Sequence, residues 1–390
     1  MRKWVIFGLT LSLFFGCAKK EDVIKIGEFG GLTGSTATFG ISTKNGIDMA
    51  TEEVNAGGGL LGKKVQVIVE DDRCLAEEAA SAVKKLVTQD KVVAVLGEVA
   101  STRSLAGAPI CQENQIPMVT PSSTNPKVTE IGDYIFRVCF IDPFQGQMIA
   151  KFAYSSLGLK RAAVFRDIKN DYSVGLADYF SQAFLAMGGT IVSDEAYSET
   201  DQDFKAQLTV IKSKRPQFLM VPGYYTDVGL IARQARELGL DVPMLGGDGW
   251  VSDELLEIAQ DALNGSYLVN HYWEQDPNPA IQKFVTEYRA RYNATPDGLA
   301  ALGYDAAGVL TNALQRLRVE DPAAFRELTA ARSEKQKAAR AKLREMIATT
   351  KDFPGVTGRI SLDAKRNAVK PAVFLGIENR SYKFVAAVEP

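Results

Sequence analysis

From residue 22 onward, short runs rich in β-branched residues alternate with longer stretches of helical periodicity, and this alternation limits the chain to a small set of folds. Strands are expected at Ile24–Phe29, Val65–Glu70, Val92–Gly97, Met118–Thr120, Ala162–Arg166, Phe218–Pro222 and Met244–Gly246. Helices are expected at Thr43–Asn55, Ala76–Gln89, Thr102–Glu113, Phe144–Leu157, Gly175–Met187, Phe204–Ser213 and Asp227–Leu238. In Ala76–Gln89, the residues Ala79, Ala82, Val83 and Leu86 recur at three- and four-residue spacing, which puts them on one helical face. The strand runs are apolar throughout, as in parallel strands covered on both faces. The expected fold class is therefore α/β, doubly wound, with parallel-rich sheets. The series breaks near Ile141-Asp142-Pro143 and restarts at Ala162, which implies two such lobes with a cleft between them. In open α/β sheets ligands bind beyond the carboxyl ends of the strands, so the residues that follow each strand are the candidates for function.

Composition removes several function classes. With 46% hydrophobic and 24% charged residues the chain is globular, and its net charge of −2 supplies no field for nucleic acid. One histidine and four cysteines argue against a Cys/His metal cluster, and neither a metal nor any other cofactor is expected. Arg2 and Lys3 precede an apolar stretch, Trp4–Phe15, that falls short of the ~20 residues needed to span a bilayer but fits a secretory signal. It ends in Gly16-Cys17 and turns polar at Ala18-Lys19-Lys20, which resembles a bacterial lipoprotein lipobox with Phe14 where leucine is usual. The resemblance implies a signal peptide over 1–16, lipid on Cys17 and a tethering linker over 17–22. Beyond it stand Cys74, Cys111 and Cys139, compatible with one disulfide and one free thiol without specifying the pair.

Four post-strand segments carry chemistry. In Glu98–Ser104, Ser101 or Thr102 sits where a helix N-cap belongs; this is plain capping or a site for a carboxylate on free backbone N–H groups. Pro121-Ser122-Ser123-Thr124-Asn125-Pro126 is either an ordinary turn or a rigid corner of hydroxyl donors. If their strands are neighbours, the two loops together surround a small anionic group. Asp248, in Gly246-Gly247-Asp248-Gly249-Trp250, is a turn residue or an acid poised for an ammonium group; Tyr172 and Tyr224 also follow strands. Gly57–Lys64 lacks the Ser/Thr and preceding strand of a phosphate loop, and Asp71-Asp72 and Glu52-Glu53 lack calcium-loop spacing. Ser101 has no base to make it a nucleophile, because the only histidine, His271, is read as structural beside Tyr272-Trp273. Pro322–Thr350 reads as one long charged helix, either a solvated lobe edge or a docking face.

Asn55-Ala-Gly-Gly, Asp71-Asp72-Arg-Cys74, Thr124-Asn125-Pro126, Gly223-Tyr224, Arg233-Gln-Ala-Arg236 and the glycine-flanked Asp248 occur in an order that resembles the bacterial leucine/isoleucine/valine-binding proteins, type I solute-binding components of ABC importers. The resemblance implies two lobes joined by a hinge, with 23–142 plus 272–368 forming the first and 143–271 plus 369–390 the second. It implies an amino-acid carboxylate held by Ser101, Ser122 and Thr124, an ammonium held by Asp248, and a cleft lined by Tyr172 and Tyr224. Phe39 replaces the family's pocket tyrosine, Ala100 stands where a cysteine partner for Cys74 is expected, and Trp250 is expected to reshape the side-chain pocket. The implied protein is an exported, lipid-tethered monomer that delivers an amino acid, of the aliphatic branched-chain kind, to the permease of an ABC importer. A sensor of the same fold for a small amide is the alternative, and Asp248 argues against it.

Overall fold

The computed structural model describes residues 23–330 and 335–389, so the expected signal segment and Cys17 lie outside the described residues. The first series is β1 (Ile24–Gly30), α1 (Ala37–Ala56), β2 (Val65–Asp71), α2 (Ala76–Lys85), β3 (Ala94–Leu96) and α3 (Ser101–Glu113). It closes with β4 (Met118–Thr120), α4 (Lys127–Glu130) and β5 (Ile135–Arg137). The second series is α5 (Asp142–Lys151), β6 (Arg161–Asp167), α6 (Asp171–Ala186), β7 (Thr190–Tyr197), α7 (Lys205–Ser213) and β8 (Phe218–Met220). It continues through α8 (Tyr225–Glu237), β9 (Met244–Gly246), α9 (Asp253–Ala259) and β10 (Ser266–Asn270). Four helices follow: α10 (Pro279–Tyr292), α11 (Gly298–Glu320), α12 (Pro322–Thr329) and α13 (Gln336–Ala348). The chain ends in β11 (Phe353–Gly355), β12 (Gly358–Leu362), β13 (Ala368–Val369), β14 (Ala372–Glu378) and β15 (Ser381–Val388).

The first sheet runs β2-β1-β3-β4-β5 and is wholly parallel. The second runs β15-β14-β10-β9-β8-β6-β7, parallel from β10 to β7, with β14 and β15 antiparallel at one edge. Successive strand residues bury themselves on opposite faces, as the pleat dictates. Ala94 and Leu96 enter one core cluster and Val95 another, while Ala163 and Phe165 part from Ala162 and Val164 in the same way. Both faces of the central strands are covered, which is why those strands read as unbroken apolar runs.

After β10 the chain returns to the first sheet. Helix α11 lies on α1 so closely that a Cβ at Gly46 would collide with the Ala300 carbonyl, and one at Gly303 with the Thr43 carbonyl. A third, three-stranded sheet, β11-β12-β13, precedes the return to β14. Among the described residues no helix is long and apolar enough to cross a membrane.

Several expectations are corrected. The long charged helix over 322–350 is two elements: α12 ends at Thr329, where Ala330 turns to extended backbone, and α13 begins at Gln336. Phe325, Leu328, Leu343 and Ile347 are buried, so an apolar stripe docks both helices. Strand β3 is shorter than the expected Val92–Gly97, and α1, α5 and α6 each start before their apolar periodicity does. Strands β5, β7, β10 and β11 to β15 were not anticipated; for β7 and β15 the reason is that edge strands are only partly buried and lose the continuous apolar signal. Cys74, Cys111 and Cys139 are all free thiols.

Gly46→Ala inserts a methyl group into the α1–α11 backbone contact, and overpacking of this kind costs ~1–3 kcal/mol. The expected result is a lower urea midpoint with unchanged slope; a midpoint equal to that of the parent would mean the two helices can simply move apart.

Candidate functional site

Strands β3 and β4 are neighbours, so the loops that follow them emerge side by side. They are stitched by polar contacts among buried groups. The Glu98 carbonyl accepts hydrogen bonds from Thr120 Oγ1 at 2.6 Å, Ser123 Oγ at 2.9 Å and Ser104 Oγ at 3.1 Å. Its carboxylate accepts from the Ala100 and Gly31 amides and pairs with the Arg103 guanidinium at 3.1 Å. Buried Arg137 donates to the carbonyls of Ser123, Asn125 and Pro126, pinning the second loop from beneath. A buried guanidinium spread over carbonyls fixes backbone geometry because any movement leaves its donors unpaired.

The stitching sorts the three consecutive hydroxyls. Ser123 turns inward, whereas Ser122 and Thr124 line a small cavity together with Ser101, Phe39, Val99, Leu299, Tyr172, Tyr224, Asp248 and Gly249. Seven of the eight sequence-derived candidates thus converge on one cavity. The helix N-cap is Ala100, not Ser101 or Thr102, and no side chain caps the first turn of α3. Ser101 instead accepts a hydrogen bond from the Asn125 amide at 3.2 Å, tying the two loops together. The start of α3, with its uncapped N–H groups and positive dipole end, therefore lies beside hydroxyl donors.

The opposite wall comes from the second sheet. Asp248 lies in the 3₁₀ turn Asp248–Trp250 directly after β9 and is 5% exposed. Gln145 of α5 donates from Nε2 to Asp248 Oδ1 at 3.1 Å and accepts at Oε1 from the Asp248 amide at 2.7 Å. His271, just past β10, meets Asp248 Oδ2 through Nε2 at 3.0 Å and stacks on Phe140 with ring centroids 3.9 Å apart. Gly247 permits this approach, since a Cβ there would overlap Gln145 Oε1 and crowd the Tyr172 hydroxyl. Tyr172 accepts from the Gly249 amide at 3.0 Å, and its ring stacks on Tyr224 with centroids 5.4 Å apart and planes 5° from parallel. Phe39 meets Tyr224 edge-on at 5.5 Å.

Trp250 does not line the cavity. It is fully buried, its indole N–H donates to the Val221 carbonyl at 2.9 Å, and a side chain at Gly246 would overlap its ring. Burial of a large aromatic ring outweighs its position in sequence beside Asp248. Gln145, His271 and Arg137 were missed as partners of the site; the first and last carry no motif, and His271 was read as structural alone.

Direct contacts bridge the two walls. Thr102 Oγ1 donates to Asp171 Oδ2 at 3.1 Å and accepts from the Asp171 amide at 2.9 Å, and Asn125 Nδ2 donates to the Asp171 carbonyl at 2.7 Å. The cleft is shut, with polar groups on one wall, a carboxylate on the other and aromatic rings between.

The periplasmic binding protein family profile matches residues 23–379. The leucine-, isoleucine-, valine-, threonine- and alanine-binding protein of Pseudomonas aeruginosa is 31% identical over 318 residues, covering 80% of this chain and 84% of that protein. Among solved structures, the leucine binding protein LivK from Thermotoga maritima superposes with a TM-score of 0.86 at 41% identity, covering 94% of this chain and 99% of that one. LivJ from Streptococcus pneumoniae, solved in complex with isoleucine, gives 0.85 at 33% identity, covering 94% and 100%.

Asp142, at the first crossing between the sheets, is fully buried, and one of its carboxylate oxygens has no hydrogen-bond partner. Burial pushes its carboxyl up to about 8. The folded state then keeps a proton that the unfolded chain releases near pH 4, so this group's contribution falls as pH rises from about 4 to 8. Urea unfolding of Asp142→Asn is expected to show a smaller loss of stability between pH 5 and pH 8 than the parent; equal slopes would mean that Asp142 ionises normally.

Proposed function

We propose, on the premise that the chain belongs to the periplasmic binding protein family and within it to the branched-chain amino-acid receptors, that it captures one aliphatic amino acid between its lobes and passes it to the permease of an ABC importer. The observation that carries this reading is the cavity itself: Ser101, Ser122 and Thr124 face Asp248 across Phe39, Tyr172 and Tyr224. In this reading the three hydroxyls and the start of α3 receive the ligand's carboxylate, and Asp248 receives its ammonium. The aromatic rings, with Val99 and Leu299, surround an apolar side chain. A ligand that touches both walls favours the shut state by its differential affinity, so closure requires no chemical step and no bond is made or broken.

The lobes are taken as 23–142 plus 272–368 and 143–271 plus 369–390. Sheet membership supports the division, since β1 to β5 form one sheet and β6 to β10 with β14 and β15 the other. The protein is proposed to act as a monomer outside the cytoplasm, held to a membrane by lipid on Cys17. Its docking surface for the permease would be the face completed when the lobes close.

A thermal-shift screen of the form starting at Lys19, after unfolding and refolding to strip carried-over ligand, tests the reading. At a hundredfold excess over its dissociation constant a ligand stabilises by about 2.7 kcal/mol, enough for a clear shift. Leucine, isoleucine or valine is expected to give it; no shift with any amino acid would overturn the reading. Asp248→Ala is expected to cost ~2–5 kcal/mol of binding in calorimetry, because the ligand's ammonium would be left buried without its partner. For the anchor, Cys17→Ala is expected to move the exported protein from the membrane fraction to the soluble fraction, and persistence on the membrane would rule out the lipid.

A further inference from the structure

We propose that His271, with Gln145, is a positioning residue that keeps the Asp248 carboxylate aimed into the cavity, and that protonation of His271 makes ligand capture weaken in acid. The inference rests on the amino-acid reading of the cavity. Asp248 is buried, and the groups that hold its side-chain oxygens are the Gln145 amide and the His271 ring. An ionised carboxylate only accepts, so the Nε2 in contact with it carries the hydrogen. His271 Nδ1 is then bare, which fits its surroundings: it is buried and has no hydrogen-bond partner. Two neutral donors thus orient the acid while leaving its charge for the ligand.

Protonation of His271 would reverse this. The second proton would sit on Nδ1, where no acceptor waits, and the imidazolium would satisfy Asp248 in place of an ammonium. Burial, against the pull of Asp248, holds the imidazole below its ordinary range, so the ring is neutral at pH 7. The other charged groups near it are Lys370, which opposes protonation and is balanced by Asp305, and Asp142 and Arg137 beyond Asp248. A bound ammonium beside Asp248 disfavours the imidazolium further. By linkage, affinity must then fall as pH drops through the value of the empty protein.

Calorimetric titration with leucine from about pH 7.5 to pH 5, on the parent, His271→Gln and His271→Leu, tests this, with 4-methylpentanoate, the same ligand lacking its ammonium, as control. The parent is expected to lose affinity for leucine progressively as the pH falls toward 5. His271→Gln, which retains a donor and cannot titrate, is expected to bind a few-fold more weakly at neutral pH with a flat profile. His271→Leu is expected to lose roughly ten- to hundredfold for leucine at every pH and to discriminate less against 4-methylpentanoate. Parallel profiles for the parent and His271→Gln, or unaltered discrimination in His271→Leu, would overturn the proposal. If the parent binds no amino acid at any pH, the amino-acid reading itself fails first. Thermal melts of each variant separate unfolding from lost affinity.

Discussion

A carboxylate buried in a closed cleft, held by an amide and a neutral imidazole, sets the terms for the rest of this molecule. Burying Asp248 is costly unless its charge is met, and the protein meets it with dipoles on one side of the carboxylate only. The cavity side is left for a cation, and the facing wall, with the uncapped start of α3 and three hydroxyls, suits an anion. The two ends of a zwitterion would therefore be recognised by different lobes. Recognition and closure become the same event, because neither wall alone satisfies both charges.

The two walls are built to different standards of rigidity. On the first sheet the loops after β3 and β4 are locked by the Glu98 carbonyl and the Arg137 guanidinium, so the hydroxyls are positioned before any ligand arrives. Preorganised donors of this kind spare the ligand the entropy of ordering them. On the second sheet, Asp248 is reached from two elements that adjoin the crossings between the sheets, α5 with Gln145 and the segment after β10 with His271. Each crossing carries a buried ionisable side chain: Asp142 at the first, His271 at the second and Lys370 at the third. Lys370 lies within a cluster in which it donates to Thr357 Oγ1, and Thr357 Oγ1 donates to Asp305 Oδ2. The hinge is thus a polar interior whose groups need defined partners, which favours discrete arrangements over continuous flexing.

Much of this was legible before the structure. The alternation of apolar runs and amphipathic stretches reported the two doubly wound sheets because a strand covered on both faces has no polar side to show. The chemical roles of Ser101, Ser122, Thr124 and Asp248 could be suspected because they follow strands, where the fold must place its open edge. Tyr172 and Tyr224 could be singled out for the same reason, whereas Phe39 came from resemblance alone. Less was legible where burial is partial or depends on partners from elsewhere. Strand β15, exposed along much of one face, and the break between α12 and α13 left no clean periodic signature.

The sequence by itself therefore determined the layering, the order of elements and the types of polar group at the strand ends, all of which follow from local periodicity. Only the tertiary structure decided which groups meet. Trp250 went into the core and Asp248, two residues earlier, to the cavity, because a tight turn points neighbouring side chains apart. Ser122 and Thr124 faced the cleft while Ser123 was consumed in stitching it. Gln145 and His271 reached Asp248 from separate elements, through packing that no spacing in one dimension encodes. Local periodicity fixes which face of an element is buried, but the partner of a buried charge is set by where distant elements dock.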